Sequence, residues 1–260
     1  MRIQVLLCVM TVAAAALAAA AEPAAPASKD TRFFEMRTYF AAPGKLEALQ
    51  ARFRNHTLKI FEKHGMTNIG YWVPVENPDS KLIYILAYPD REAREKAWKE
   101  FWDDPDWKAV QTESEKDGKL VAKMESVYLK ATDFSPAIKP AAAGEPRAFE
   151  LRLYKSSPGN LANLLARFRD HTVALFSKHG IEQIGYWTPV EQKDGADDTL
   201  IYIVAHKSRA AADETWKSFR ADSEWVAAKK ASEEKAGGSL TAPDGVKSTY
   251  MTPTDYSPTK

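Results

Sequence analysis

The sequence carries one block twice. FEMRTYFAAPGKLEALQARFRNHTLKIFEKHGMTNIGYWVPVE, Phe34 to Glu76, aligns without gaps to FELRLYKSSPGNLANLLARFRDHTVALFSKHGIEQIGYWTPVE, Phe149 to Glu191, with roughly 25 of 43 positions identical. Identity at that level means two copies of one folding unit, so whatever the first copy folds into, the second must fold into as well. The register slips by three residues in the loop Gln192 to Asp198 and then resumes, KLIYILAY (Lys81 to Tyr88) matching TLIYIVAH (Thr199 to His206). Trp98, Phe101 and Trp107 recur as Trp216, Phe219 and Trp225, and both copies close on a similar string, ATDFSP after Tyr128 and PTDYSP after Tyr250.

The rest of the chain falls outside the repeat. Residues 1–21 run from one arginine through an apolar stretch to small residues near Ala19 to Ala21, the pattern of a secretory signal peptide. An uncleaved anchor is the alternative, because a bilayer span needs roughly 17 to 25 apolar residues. Residues 22–32 read as a lead-in linker, 33–136 as the first domain, 137–147 as a second linker rich in Pro, Ala and Gly, and 148–258 as the second domain. An exported protein is expected, periplasmic or secreted, with no stable membrane insertion after cleavage. The single cysteine, Cys8, lies in the signal. The mature chain therefore lacks disulfides and thiolate chemistry and must be held by packing. Lys plus Arg (36) balances Asp plus Glu (35), so no basic field favours nucleic acid.

Within one copy, Phe34 to Tyr39 alternates as a strand. Leu46, Leu49, Phe53, His56 and Ile60 recur at helical spacing as far as His64-Gly65. Strands are expected over Ile69 to Val75 and Leu82 to Tyr88, a helix from Asp90 interrupted at Asp104-Pro105, and a last strand over Val121 to Lys130. The order βαββαβ is the ferredoxin-like arrangement, an α+β unit with two helices on one face of a four-stranded sheet. Glu35, Arg37 and Tyr39, with Leu82, Tyr84, Leu86 and Tyr88, are assigned to the uncovered face. That face is too apolar for solvent, so the two sheets are expected to pack against each other around a partly wet lumen, an intramolecular pseudo-dimer.

FEMRTY, RFRNHT, KHGMTNIGYW and the Trp98/Phe101/Asp104-Pro105/Trp107 spacing resemble the NIPSNAP family, and the second copy matches equally well. The resemblance implies membership of the dimeric α/β-barrel superfamily, with the barrel here made within one chain. That superfamily includes cofactor-free monooxygenases, haem-using enzymes, isomerases and proteins without a settled activity.

The residues themselves offer few chemical groups. No HExxH or paired-cysteine spacing occurs, so no metal and no cofactor is assigned. Candidate ligand contacts are Arg37, Tyr39, Tyr84 and His56, with their copies Arg152, Tyr154, Tyr202 and His171. A guanidinium inside a barrel needs a partner. Glu35 and Glu150 can supply it, or Arg and Tyr together can orient an anionic or carbonyl-bearing ligand. His56 and His171 are read as buried ties from helix to sheet, with acid or base work as the alternative; His64 and His179 are read as helix caps. Trp98, Trp107, Trp216 and Trp225 are core, and Trp102, opposite Arg220, is the one expected to be exposed. Three functions follow: a small ligand bound in the lumen, a cofactor-independent monooxygenase or isomerase acting on a small aromatic or carbonyl compound, or a protein-interaction module. Further homo-oligomerisation stays open.

Overall fold

The computed structural model describes residues 30–138, 140 and 147–260; the segment assigned as a signal peptide and most of both linkers lie outside these residues. The first unit comprises β1 (Phe33–Ala41), α1 (Leu46–Arg52), α2 (Leu58–Lys63), β2 (Thr67–Pro74), β3 (Lys81–Tyr88), α3 (Arg91–Asp103), α4 (Pro105–Ser114) and β4 (Val121–Ala131). The second repeats it as β5 (Ala148–Ser156), α5 (Leu161–Arg167), α6 (Val173–Lys178), β6 (Glu182–Pro189), β7 (Thr199–His206), α7 (Arg209–Ala221), α8 (Ser223–Ala236) and β8 (Thr241–Pro253). Helix boundaries follow local chemistry. The Asp90 carboxylate accepts from the Ala93 N–H at 2.8 Å to start α3, and the Asp104 carboxylate accepts from the Asp106 N–H at 2.7 Å to start α4 with Pro105 at its first position.

One feature has no counterpart in the sequence pattern. Between α1 and α2 the helix widens into a π turn at Phe53–Thr57, and the second unit does the same at Phe168–Thr172. Thr57 Oγ1 donates to the Arg52 carbonyl at 3.2 Å, and Thr172 Oγ1 to the Arg167 carbonyl at 3.1 Å. The extra residue rotates Arg52 and Arg167 inward, where both are buried.

All eight strands close into one antiparallel barrel in the order β1-β3-β2-β8-β5-β7-β6-β4. The units join at two short seams. Leu129, Lys130 and Ala131 pair with Pro189, Thr188 and Trp187, and Trp72, Val73 and Pro74 pair with Pro253, Thr252 and Met251. Pro74 and Pro189 thus sit at strand ends, where a missing donor costs least, and closure leaves no free sheet edge.

The two faces of each sheet are reversed relative to the expectation. The lumen is filled by Phe34, Trp72, Ile83 and Ile85 from one unit and Phe149, Trp187, Ile201 and Ile203 from the other, a dry core shared by both. Glu35, Arg37, Tyr39 and Tyr84 point the other way, toward the helices, with Phe53, Phe61 and Trp98. Both faces are buried, so alternation separates two sets of residues without saying which meets the helices. The charged set can turn inward because α3 brings partners for it. The sheets do shield each other, but the surface they share is the apolar one.

Gly70 and Gly185 show how tightly that core is filled. A Cβ on Gly70 would stand 2.3 Å from the Trp72 ring, and one on Gly185 2.5 Å from the Trp187 ring. The repeated IGYW string is therefore a single device: glycine leaves room for the indole two residues on to fold back across the strand.

Candidate functional site

Glu35, the third residue of β1, is fully buried, and five side chains converge on it. Arg37 Nη1 donates to Oε1 at 2.9 Å, Arg94 makes a two-pronged pair at 3.0 Å on each oxygen, and Ser126 donates at 2.6 Å. Tyr88 Oη and Trp98 Nε1 each donate to Oε2 at 3.1 Å. Burial works against the charge on Glu35, but the Arg94 hydrogen bonds and the Arg37 and Arg94 charges outweigh it and hold the carboxyl below its usual range. One carboxylate and two guanidiniums leave this cluster with an excess positive charge, and the Arg37 guanidinium lies over the Trp98 indole, 4.1 Å from the ring centroid.

In the second unit Glu150 takes Arg152, Ser248, Trp216 Nε1 at 2.7 Å and His206 Nε2 at 3.3 Å. Ala212 stands at the position of Arg94 and His206 at that of Tyr88. Burial again opposes ionisation; the His206 hydrogen bond and the Arg152 charge prevail and hold the Glu150 carboxyl down at about 2.

Beside each carboxylate cluster lies a cleft between sheet and helices. In the first unit it measures about 280 Å³ and is lined by Arg37, Tyr39, Arg52, Phe53, Trp102 and Trp107, among others. Arg52 donates to Glu115 at 2.9 Å and lies over the Trp107 ring at 5.1 Å. Arg37 Nε, Arg52 Nε and Trp107 Nε1 are buried donors without a hydrogen-bond partner among the described residues. The second cleft, about 820 Å³, is lined by Arg152, Tyr154, Trp216 and Trp225 with α8 as its outer wall. Burial raises the Tyr84 and Tyr202 phenols well above the ordinary tyrosine value, so both stay protonated, and neither hydroxyl has a hydrogen-bond partner among the described residues. Such a cleft offers aromatic walls and guanidinium cations, Arg37 and Arg52 in the first unit and Arg152 in the second, a setting for a planar group bearing oxygen or negative charge.

Four of the eight sequence candidates, Arg37 and Tyr39 in one unit and Arg152 and Tyr154 in the other, line the helix–sheet clefts and not the lumen, while Tyr84 and Tyr202 lie fully buried on the same sheet face behind them. His56 and His171 are not with them. The π turn rotates both rings to the exposed outer surface, which corrects the expectation of a buried tie. His64 and His179 end α2 and α6 and reach across to the N-caps of α4 and α8, His64 Nε2 to Asp104 at 2.7 Å and His179 Nε2 to Asp222 at 2.8 Å. Trp102 is exposed, as expected. Among the described residues, no group of three or more His, Cys, Asp or Glu is placed to hold a metal ion, and no helix is long and apolar enough to cross a membrane.

The NIPSNAP family model matches residues 34–136 and again 149–258. The chain belongs to the NIPSNAP family. Its barrel is shared with solved structures of low identity: a "putative monooxygenase" from Lactobacillus acidophilus NCFM at 12% identity, covering 86% of this chain and 94% of that one with a TM-score of 0.55. An anthrone oxidase-like protein is similar at 12% identity, covering 86% of this chain and 92% of that one with a TM-score of 0.56. A NIPSNAP domain protein from Burkholderia xenovorans, 24% identical, covers 40% of this chain and 98% of that one, with a TM-score of 0.36. No curated protein matches. Seen on the NIPSNAP barrel, the RFR(N/D)HT string is the π turn, and the FE(M/L)R string is the buried carboxylate–guanidinium pair. Arg52, Arg94 and Glu115 belong to the first cleft or its supporting cluster without having been singled out in the sequence, and Trp107, read there as core, lines the cleft as well. The ARFR string carrying Arg52 and Arg167 in both copies was the available signal.

Proposed function

We propose that this tandem NIPSNAP protein is exported and binds small planar molecules carrying a carboxylate, enolate or carbonyl, held between the sheet and the helices of each unit. The observation that carries the reading is the set of buried, unpartnered donors Arg37 Nε, Arg52 Nε and Trp107 Nε1 on residues that line an aromatic cleft. A buried polar group without a partner costs about 1–3 kcal/mol, which a ligand oxygen accepting from it would recover. Export is supported by the residues of the N-terminal segment and by a sole cysteine lying within it. Mass spectrometry of small molecules co-purifying with the wild type and with the Arg37→Ala/Arg152→Ala variant tests the binding reading. An oxygen-bearing aromatic present with the wild type and lost from the variant is expected; no small molecule in either sample contradicts it.

A second reading, cofactor-independent oxygenation or isomerisation of such a compound, is favoured by Tyr84 and Tyr202. Each is a protonated phenol on the same sheet face as a guanidinium, the register placing Tyr84 opposite Arg37 and Tyr202 opposite Arg152. Two neighbours of the same fold are described as oxygenases or oxidase-like. Turnover of the co-purifying compound, abolished in Tyr84→Phe/Tyr202→Phe while binding persists, would distinguish catalysis from carriage.

A further inference from the structure

We infer that the two clefts have diverged, and that the cleft of the second unit takes an amphipathic anion: a bulky, fused-ring-sized apolar body with one acidic group. This deepens the binding reading above and rests on it. The first cleft is roofed by Trp102, whose ring packs on Phe101 at 5.1 Å, Trp98 at 5.7 Å and Trp107 at 5.9 Å. The matching position in the second unit is Arg220, an exposed side chain that cannot cover the aromatic floor. With the roof gone the cavity is about 820 Å³ against about 280 Å³. The larger value lies within the usual range for ligand sites, roughly 300–1,000 Å³, and the smaller just below it.

The substitutions around the opening agree on the occupant. Val226, exposed and apolar, replaces Lys108 and extends the floor formed by Trp216, Phe219 and Trp225. Lys229 replaces Gln111 and, with Arg220, forms a cationic rim. The acidic residues at this cleft are already engaged: Glu233 faces Arg167 at 3.6 Å, Glu234 faces Lys230 at 3.8 Å, and Glu150 holds Arg152. Arg220 and Lys229 have no ion-pair partner among the described residues. Deeper in, Arg152 is 15% exposed where Arg37 is 4%, and Arg152 Nε has no hydrogen-bond partner among the described residues. An apolar body on the indoles with its acid group between Arg220 and Lys229 satisfies both parts of the cleft.

The test uses the full mature protein, an anionic probe, 8-anilinonaphthalene-1-sulfonate, and its uncharged counterpart N-phenyl-1-naphthylamine, each titrated by fluorescence. The wild type should bind the anionic probe at one site per chain. Arg220→Trp should weaken it at least about tenfold by restoring the roof, and Trp102→Arg should add a second site. Arg220→Met/Lys229→Met, which keeps the opening, should weaken the anion at least about tenfold and leave the neutral probe within about twofold. Circular dichroism spectra and melting curves unchanged by the substitutions show that the variants are folded. No wild-type binding, or binding indifferent to Arg220→Trp, overturns the inference. Probe binding lost in Arg152→Ala but unaffected by Arg220→Trp would preserve the general binding reading while removing this one.

Discussion

Arg54 and Asp255, 201 residues apart in sequence, form a two-pronged ion pair, Nε to Oδ2 at 2.6 Å and Nη2 to Oδ1 at 2.7 Å. Arg169 and Asp133 repeat it in the opposite direction, with both contacts at 2.7 Å. Each aspartate lies in the segment following its own unit's last strand and grips the π turn of the sister unit. The next two residues follow suit. Phe134 packs on Phe168 and Tyr186, and Tyr256 on Phe53 and Tyr71. The Tyr186 N–H donates to Ser135 Oγ at 3.0 Å and the Tyr71 N–H to Ser257 Oγ at 2.9 Å. The repeated TD(F/Y)SP string is a reciprocal clasp between the two halves.

The clasp's energy should reside in its rings. The ion pairs are exposed, and such pairs contribute about 0–1 kcal/mol. Phe134 is buried, and removing a buried phenylalanine side chain costs roughly 3–5 kcal/mol. In urea denaturation, Asp255→Ala should shift stability by less than about 1 kcal/mol and Phe134→Ala by about 3 kcal/mol or more. Equal effects would show that the clasp is electrostatic.

The two buried carboxylates should respond unequally to loss of their arginines. Removing one partner of a buried pair costs about 3–5 kcal/mol when the remaining charge is left uncompensated. Arg37→Ala leaves Glu35 still paired with Arg94, whereas Arg152→Ala leaves Glu150 with no arginine at all. Thermal or urea denaturation of the single variants should rank Arg152→Ala as the more destabilising. The reverse order would mean that Arg94 does not compensate.

Glu150 also sets part of the acid limit. Its folded pKa is depressed from an ordinary 4.5 to about 2, so its contribution is complete above about pH 4.5 and is lost as pH falls through about 2. The stability difference between wild type and Glu150→Gln should therefore be largest near neutrality and shrink from pH 4.5 toward 2. A difference constant across that range would show that Glu150 titrates normally in the folded protein.

The lumen should tolerate no added volume. Gly185→Ala puts a methyl group into the Trp187 ring, whose indole is fully buried and has nowhere to move. Overpacking of this kind costs typically about 1–3 kcal/mol, and Gly70→Ala should behave alike. Stability unchanged in both variants, measured by urea denaturation, would mean that the barrel interior has room and could itself accept a ligand.

Much of the fold was legible because the duplication gave each element two independent readings: the strand alternation at Phe34, the Asp90 cap and the Asp104-Pro105 break all mark real boundaries. The orientation of the sheet was not. A strand buried on both faces separates its residues into two sets, and charge on Glu35 and Arg37 suggested the wetter side, although partners brought by α3 make the helix side the better home. The π turn at Phe53–Thr57 was hidden for a related reason, since one inserted residue leaves the apolar spacing nearly intact while rotating Arg52 inward and His56 outward. The role of TD(F/Y)SP depends on a contact with the sister unit, 201 residues away for Asp255 and 36 for Asp133, and repetition alone could not reveal it.

The most direct measurement is a crystal structure of the protein with 8-anilinonaphthalene-1-sulfonate bound. Density for the naphthalene is expected between the second sheet and α7/α8, against Trp216, with the sulfonate between Arg220 and Lys229. Density inside the barrel between Trp72 and Phe149, or on the outer face beside His171, would contradict that placement.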